Sequence, residues 1–150
     1  MRRESCRHAT GAPLRIGVLG AAGQLGRCLV REIEALEDGE LAFAATREDI
    51  DLAHPDRIQG WLDARADSPG GLPEVVLNVA AETRVDACET EPEWADRVNG
   101  SGPTAWAEAL AARDIRLVHV STDYVFSGDG NSPYREQDPC EPRTVYGASK

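Results

Sequence analysis

The stretch LRIGVLGAAGQLGRCLVREIEAL, residues 14–36, decides the fold. Leu14–Leu19 is a short apolar run with β-branched residues, the composition of a buried strand. It leads directly into Gly20-Ala-Ala-Gly23-Gln-Leu-Gly26. From Gln24 onward the apolar residues Leu25, Cys28, Leu29, Ile33 and Leu36 recur at three- and four-residue steps, the period of a helix. Strand, glycine turn and helix in immediate succession open a β-α-β unit. Glycines at such a turn permit its tight bend and let the backbone approach a pyrophosphate lying at the helix N-terminus. Gly20, Gly23 and Gly26 are therefore candidate cofactor-binding residues.

The same alternation continues downstream. Asp38-Gly39 ends the first helix, and Leu41–Ala45 reads as a second strand. Pro55 suits the first turn of a helix that carries Ile58, Trp61 and Leu62 as far as Ala66. After the loop Ser68-Pro69-Gly70-Gly71, Val75–Leu77 reads as a fully buried third strand. Glu91-Pro92 opens a helical region, interrupted near Asn99-Gly100 and Gly102-Pro103 and resumed at Trp106 and Leu110. Leu117–Val120 is the fourth strand, residues 127–142 form a long surface loop, and a last helix begins near Thr144. Continuous apolar strands alternating with helices predict an α/β fold. Its core is a doubly wound parallel sheet with helices on both faces and ligands at the carboxyl ends of the strands. Residues 14–150 are expected to be an incomplete, C-terminally truncated dinucleotide-binding domain behind a loose leader, residues 1–13.

Composition narrows the function. The 150 residues hold 16 Lys+Arg against 26 Asp+Glu, a formal charge of −10. A surface this acidic repels phosphate backbones, so no nucleic-acid partner is expected. Hydrophobic residues at 41% support one packed core. No apolar run approaches the ~20 residues of a membrane span, and no apolar stretch follows the leader's arginines as a secretory signal requires. Cys6, Cys28, Cys88 and Cys140 are scattered without a C-x-x-C pair, which predicts a reducing, cytoplasmic setting and no metal site. Lys150 is the one lysine among the 16 basic residues. Where arginine is the default cation, a lone lysine marks a position that needs a compact ammonium rather than a planar guanidinium.

Two further places carry chemistry. Roughly twenty residues beyond the last glycine a side chain is expected to read the adenosine ribose, and there the chain has Thr46-Arg47-Glu48. Arg47 suits a 2′-phosphate and Glu48 a free 2′-hydroxyl, so NADPH is favoured and NADH stays open. Near the end, Tyr146 and Lys150 stand four residues apart, on one face of a helix. A neighbouring cation favours the phenolate and brings a phenol of pKa ~10 toward the working range of a general acid.

The loop GAAGQLG, the segments NVAAETRVDACETEP (78–92) and VSTDYVFSG (120–128), and the final YGASK (146–150) occur in order and at matching intervals. Together they resemble the extended short-chain dehydrogenase/reductases, which have a Rossmann-like fold, and more narrowly the dTDP-4-dehydrorhamnose reductase family. The resemblance implies reduction of the C4 keto group of dTDP-4-dehydro-6-deoxy-L-mannose to dTDP-L-rhamnose at the expense of NADPH. It implies Tyr146 as proton donor to the C4 oxygen, and Lys150 on the nicotinamide ribose, shifting the tyrosine's pKa. Thr122 would hydrogen-bond the substrate carbonyl, with Ser121 as second choice, and Asp123 would reach the sugar. Gly23, Gln24 and Leu25 would lie along the pyrophosphate, Asp51 and Leu52 at the adenine, and Ala80, Ala81 and Thr83 beside the nicotinamide half. Tyr124 and Phe126 read as loop anchors.

The chain departs from that family in three ways. Glu82 stands where an aromatic ring is usual, and Cys28 where members that dimerise through magnesium carry a glutamate. The resemblance thus allows a homodimer of the longer protein, but no magnesium bridge from this half. Family chains are also about twice this length, so the substrate domain is expected to be absent here. The 150 residues alone are then expected to be inactive, with a last turn, 144–150, too short to hold itself and so frayed. Two other readings compete. One is a related nucleotide-sugar epimerase or dehydratase with tightly held NAD. The other is a non-catalytic regulatory subunit resembling that of methionine adenosyltransferase, against which the intact Thr122, Tyr146 and Lys150 weigh.

Overall fold

A computed structural model describes residues 12–150, so the expected leader lies almost wholly outside the described residues. Four strands, β1 (Leu14–Leu19), β2 (Gly39–Ala45), β3 (Val75–Asn78) and β4 (Arg116–His119), form one sheet. Its order is β2-β1-β3-β4, and every pairing is parallel. The helices between them are α1 (Gln24–Glu34), α2 (Ile58–Ala66), α3 (Val85–Thr90), α4 (Pro92–Asp96) and α5 (Gly102–Ala111), with α6 (Val145–Ser149) after β4.

The two faces of the sheet differ. On one, Leu19, Phe43, Val76 and Ile115 pack with Ile58 and Leu62 of α2 and with Trp106, Ala109 and Leu110 of α5. On the other, α1 contributes Ile33, with Leu29 and Val30 partly covered, to a smaller cluster around Ile16, Val18 and Ala21. Helices on both faces and the all-parallel ladder agree with the sequence. A register shift between Ile16 and Gly17 pairs Gly17 with Phe43 and lets the phenyl ring lie over the glycine. That ring meets Trp61 edge-on at 5.0 Å, and Trp61 meets Trp106 at 5.5 Å. Arg65 covers the Trp61 ring from outside, 3.4 Å from its centroid.

Three local expectations need correcting. Leu25 and Leu36, placed on the buried stripe of α1, are 47% and 46% exposed: α1 is buried at Gly26 and Ile33, and Leu36 lies beyond its end. Val75 and Leu77 of β3 are half-buried rather than fully buried, since they face the thinner α1 layer. The break expected at Asn99-Gly100 and Gly102-Pro103 is a π-helical turn, Arg97–Ser101, that joins α4 to α5; Gly102-Pro103 opens α5.

One substitution tests this packing with opposite signs at two glycines. A Cβ on Gly17 would enter the Phe43 ring, whereas a Cβ on Gly60, within α2, meets nothing within 4 Å. Gly17→Ala should cost about 1–3 kcal/mol by overpacking. Gly60→Ala should add roughly 0.5–1 kcal/mol through helix propensity. Urea unfolding of both variants checks this, and two shifts of the same sign would contradict it.

Candidate active site

All four strands deliver their carboxyl ends to one rim. Gly20 and Ala21 donate to the Ala45 carbonyl, Val79 to that of Leu19, and Val120 to that of Asn78. Gly20 sits at φ +84°, and a Cβ there would come within 2.7 Å of the Ala80 backbone nitrogen. A Cβ on Gly26 would meet the Gly20 carbonyl. Only glycine lets β1, β3 and α1 converge so closely. Gly23 caps α1 without any side-chain hydrogen bond, so the N–H groups of its first turn have no local side-chain cap. A cavity of about 230 Å³ opens beside this turn, lined by Gly20, Gly23, Arg47, Asp51, Leu52, Ala80, Ala81 and Glu82 among others. A tight glycine turn and an uncapped helix N-terminus beside this cavity fit the pyrophosphate of a dinucleotide.

Seven of the predicted cofactor residues thus share one cavity. Gln24, Leu25 and Gly26 lie on α1 just outside its lining, and Thr83 is exposed. Arg47 is held at its edge. Its Nε donates to Asp51 Oδ2 at 3.0 Å, and its guanidinium lies 5.2 Å from the Trp94 ring centroid. Asp51 also accepts from Ala53 N at 3.0 Å, which fixes its carboxylate on the backbone. Glu48 is exposed and takes no part in the lining.

Glu82, in the aromatic position, faces the cavity as a neutralised acid. Arg84 grips it in a fork, Nε to Oε1 at 2.9 Å and an Nη to Oε2 at 2.8 Å. That guanidinium first, with backbone hydrogen bonding from Arg84 and a further bond from the Trp94 side chain, brings the Glu82 pKa down to about 2 against the cost of burial.

Sequence reasoning missed Asn99, which lies in the π-helical turn. Its Oδ1 accepts from Glu82 N at 2.8 Å, while Nδ2 donates to Glu82 O at 3.0 Å and to Ser149 Oγ at 3.1 Å. Asn99 therefore ties the loop after β3 to α6. The last turn is not left to fray as expected. Val145 N donates to Glu89 Oε1 at 2.7 Å, Thr144 Oγ1 caps Gly147 N at 3.0 Å, and Lys150 Nζ donates to the Val120 carbonyl at 2.8 Å. Tertiary anchors supply what a short isolated helix lacks.

Tyr146 and Lys150 thus stand at the end of β4, away from the cavity's lining. The Tyr146 ring meets Tyr124 edge-on at 5.6 Å, and Phe126 stacks on Tyr134 at 4.3 Å, so both predicted loop anchors do anchor. Thr122 accepts from Tyr124 N at 3.3 Å and donates to Asp123 Oδ1 at 3.2 Å, capping the short turn Asp123–Val125. Beneath Lys150 lies His119. Asn78 Oδ1 accepts from Ala80 N, so its Nδ2 donates to His119 Nδ1 at 3.1 Å and leaves Nε2 to carry the proton. Burial, with the Lys150 charge second, holds the His119 imidazole below its usual pKa; burial likewise lowers that of Lys150.

The low pKa of Glu82 has a readable consequence. Its pairing stabilises the fold fully above the unfolded value near 4.5 and is lost as pH falls toward about 2. Glu82→Gln should flatten this part of the acid limb of stability. Urea midpoints between pH 5 and about pH 2.5 check this, and an unchanged slope would contradict it.

Residues 14–150 match the family model described as the RmlD substrate binding domain. The chain is 40% identical over 138 residues to the spore coat polysaccharide biosynthesis protein SpsK of Bacillus subtilis, covering 91% of this chain and 45% of that protein. It is 42% identical over 135 residues to a dTDP-4-dehydrorhamnose reductase of Streptomyces griseus, covering 89% and 41%. The crystal structure of dTDP-4-dehydrorhamnose reductase from Bacillus anthracis in complex with NADP superposes with a TM-score of 0.80 at 31% identity, covering 91% of this chain and 46% of that one. The chain thus spans a little under half the length of these relatives. With the glycine cradle, the parallel sheet and the match along 14–150 all in agreement, the chain belongs to the RmlD substrate binding domain family.

Proposed function

We propose that residues 14–150 form the dinucleotide-binding part of a reductase that uses NADPH to convert dTDP-4-dehydro-6-deoxy-L-mannose to dTDP-L-rhamnose. In this reading the sugar-binding domain lies outside these 150 residues. The observation that carries it is the seating of α6: Tyr146 and Lys150 are anchored at the carboxyl end of β4, on the rim that also bears the glycine cradle. The names of relatives at about 40% identity support the substrate class. Among the described residues no helix is long and apolar enough to cross a membrane; the reducing, cytoplasmic setting is proposed from the scattered cysteine spacing of the sequence.

A reduced nicotinamide bound at this rim would supply the hydride to C4 of the sugar. The residues of the chain do the rest. Tyr146 gives its phenolic proton to the C4 oxygen. The Lys150 ammonium, oriented by the Val120 carbonyl, stabilises the phenolate left behind. Thr122, whose proton rests on Asp123, turns its hydroxyl to the same carbonyl oxygen. Asn99 holds α6 against the loop of Ala80 and Ala81, so the proton donor and the cofactor cleft keep a fixed relation. Gly20, Gly23 and Gly26 with Gln24 and Leu25 bound the pyrophosphate, Asp51 and Leu52 the adenine, and Arg47 the 2′-phosphate. NADH binds the same cleft more weakly. The acidic body offers nothing to nucleic acid, and a homodimer of the longer protein would form without magnesium at Cys28.

In a full-length version of the protein, Tyr146→Phe should leave NADPH affinity nearly unchanged and cut turnover with the keto-sugar by about 10²–10⁴-fold. Unchanged turnover would rule Tyr146 out as the acid. Lys150→Arg should also lose most activity, because a planar fork cannot take the place of a compact ammonium. Wild-type rates in that variant would make the charge alone sufficient.

A further inference from the structure

The rim of the cavity carries a chain of side chains of which the reading above uses only Arg47 and Asp51. Arg84 grips Glu82, Glu82 and Trp94 line the same wall of residues around the cavity, and Trp94 presents its ring to the Arg47 guanidinium, 5.2 Å from the ring centroid. Arg47 in turn pairs with Asp51. Glu82, Trp94, Arg47 and Asp51 all line the cavity.

Arg47 is 68% exposed, on a long stem with much rotamer freedom. An ion pair at that exposure is screened by water and holds an arginine only weakly. Trp94 adds a second constraint of a different kind. Asp51 takes the Nε edge of the guanidinium, whose carbon lies over the indole ring, 5.2 Å from its centroid. The two Nη groups remain, and none of the described residues accepts from them. That edge has the fork geometry that gives a phosphate two parallel hydrogen bonds. The backbone of Trp94 is itself held, because α4 runs directly into the π-helical turn whose Asn99 is bonded to the Glu82 backbone. The Arg84 fork neutralises Glu82, which keeps an uncompensated negative charge away from a site meant for a phosphate.

We infer that Trp94 is a positioning residue that sets cofactor preference: it holds Arg47 with both Nη groups presented to the 2′-phosphate of NADPH. The inference rests on the reading of this cavity as a dinucleotide site. Trp94 acts on the phosphate only through Arg47. Its effect therefore falls on NADPH, with NADH left alone.

Calorimetric titration of the 150-residue chain with NADPH and with NADH tests this in wild type, Trp94→Leu, Trp94→Phe and Arg47→Ala. Trp94→Leu should weaken NADPH binding about three- to tenfold and leave NADH within about twofold. Trp94→Phe should restore most of the loss, since it keeps an aromatic face. In the Arg47→Ala background Trp94→Leu should cause no further loss. Should Trp94→Leu fail to fold, Trp94→Met carries the same comparison. Equal weakening of both cofactors, or no weakening of either, overturns the inference. If Arg47→Ala abolishes the preference while Trp94→Leu leaves it intact, this inference alone falls. If the wild-type chain shows no preference for NADPH, the assignment of Arg47 falls and takes this one with it.

Discussion

The contact on which the architecture turns is a backbone one. The end of β1 passes so close to the start of α1 and to Ala80 after β3 that no side chain fits at Gly20 or Gly26. Interiors are close-packed, so this approach cannot be relaxed by a small shift elsewhere. It brings the first turn of α1 and the ends of β1 and β3 onto one small area, and the cavity is the space that remains beside it. A β-carbon on Gly26 would push α1 away from Gly20 and Ala21, and one on Gly20 would collide with Ala80, so either would disturb the turn that faces the cavity.

The second half of the site depends on a different kind of contact. α6 has five residues and little intrinsic tendency to persist. It is held by polar groups from α3, from the π-helical turn and from β4, with Asn99 nearly fully buried at their centre. Each of Asn99's three hydrogen bonds replaces one to water, so the net gain is modest, but removing the amide would strand buried partners. The π-helical turn is what places that amide inward. Such turns often mark functional positions, and here one joins α4 to α5 without a break in the helical path.

Much of this was readable in the residues because the signals are local. The run Leu14–Gly26 announces strand, turn and helix in order, and Tyr146 and Lys150 announce a shared helix face by their spacing alone. What escaped the reading are partners far apart in the chain. Trp94 looks like one more apolar residue after Glu91-Pro92, and its importance appears only when Arg47 arrives from the other side of β1. Asn99 looked like a helix break because Asn and Gly discourage helices locally, and tertiary contacts overrode that. The exposure of Leu25 and Leu36 has the same origin: periodicity tells which face is apolar, not how much of it a neighbour covers. Glu82 looked like an anomaly because its fork with Arg84 restores neutrality without restoring an aromatic ring.

β4 carries one more consequence. It is the outer strand of the described sheet, with β3 on one side only, and on the α1 side Val118 and Val120 are 46% and 43% exposed. In a polypeptide of these 150 residues alone, an unpaired strand edge beside bare valines is a template on which other chains can add strands. Against it stands the formal charge of −10, which sets copies of the chain repelling one another before their edges can meet. That protection is colloidal and screened by ions. The acidity thus works as a dispersant, one that weakens as salt rises.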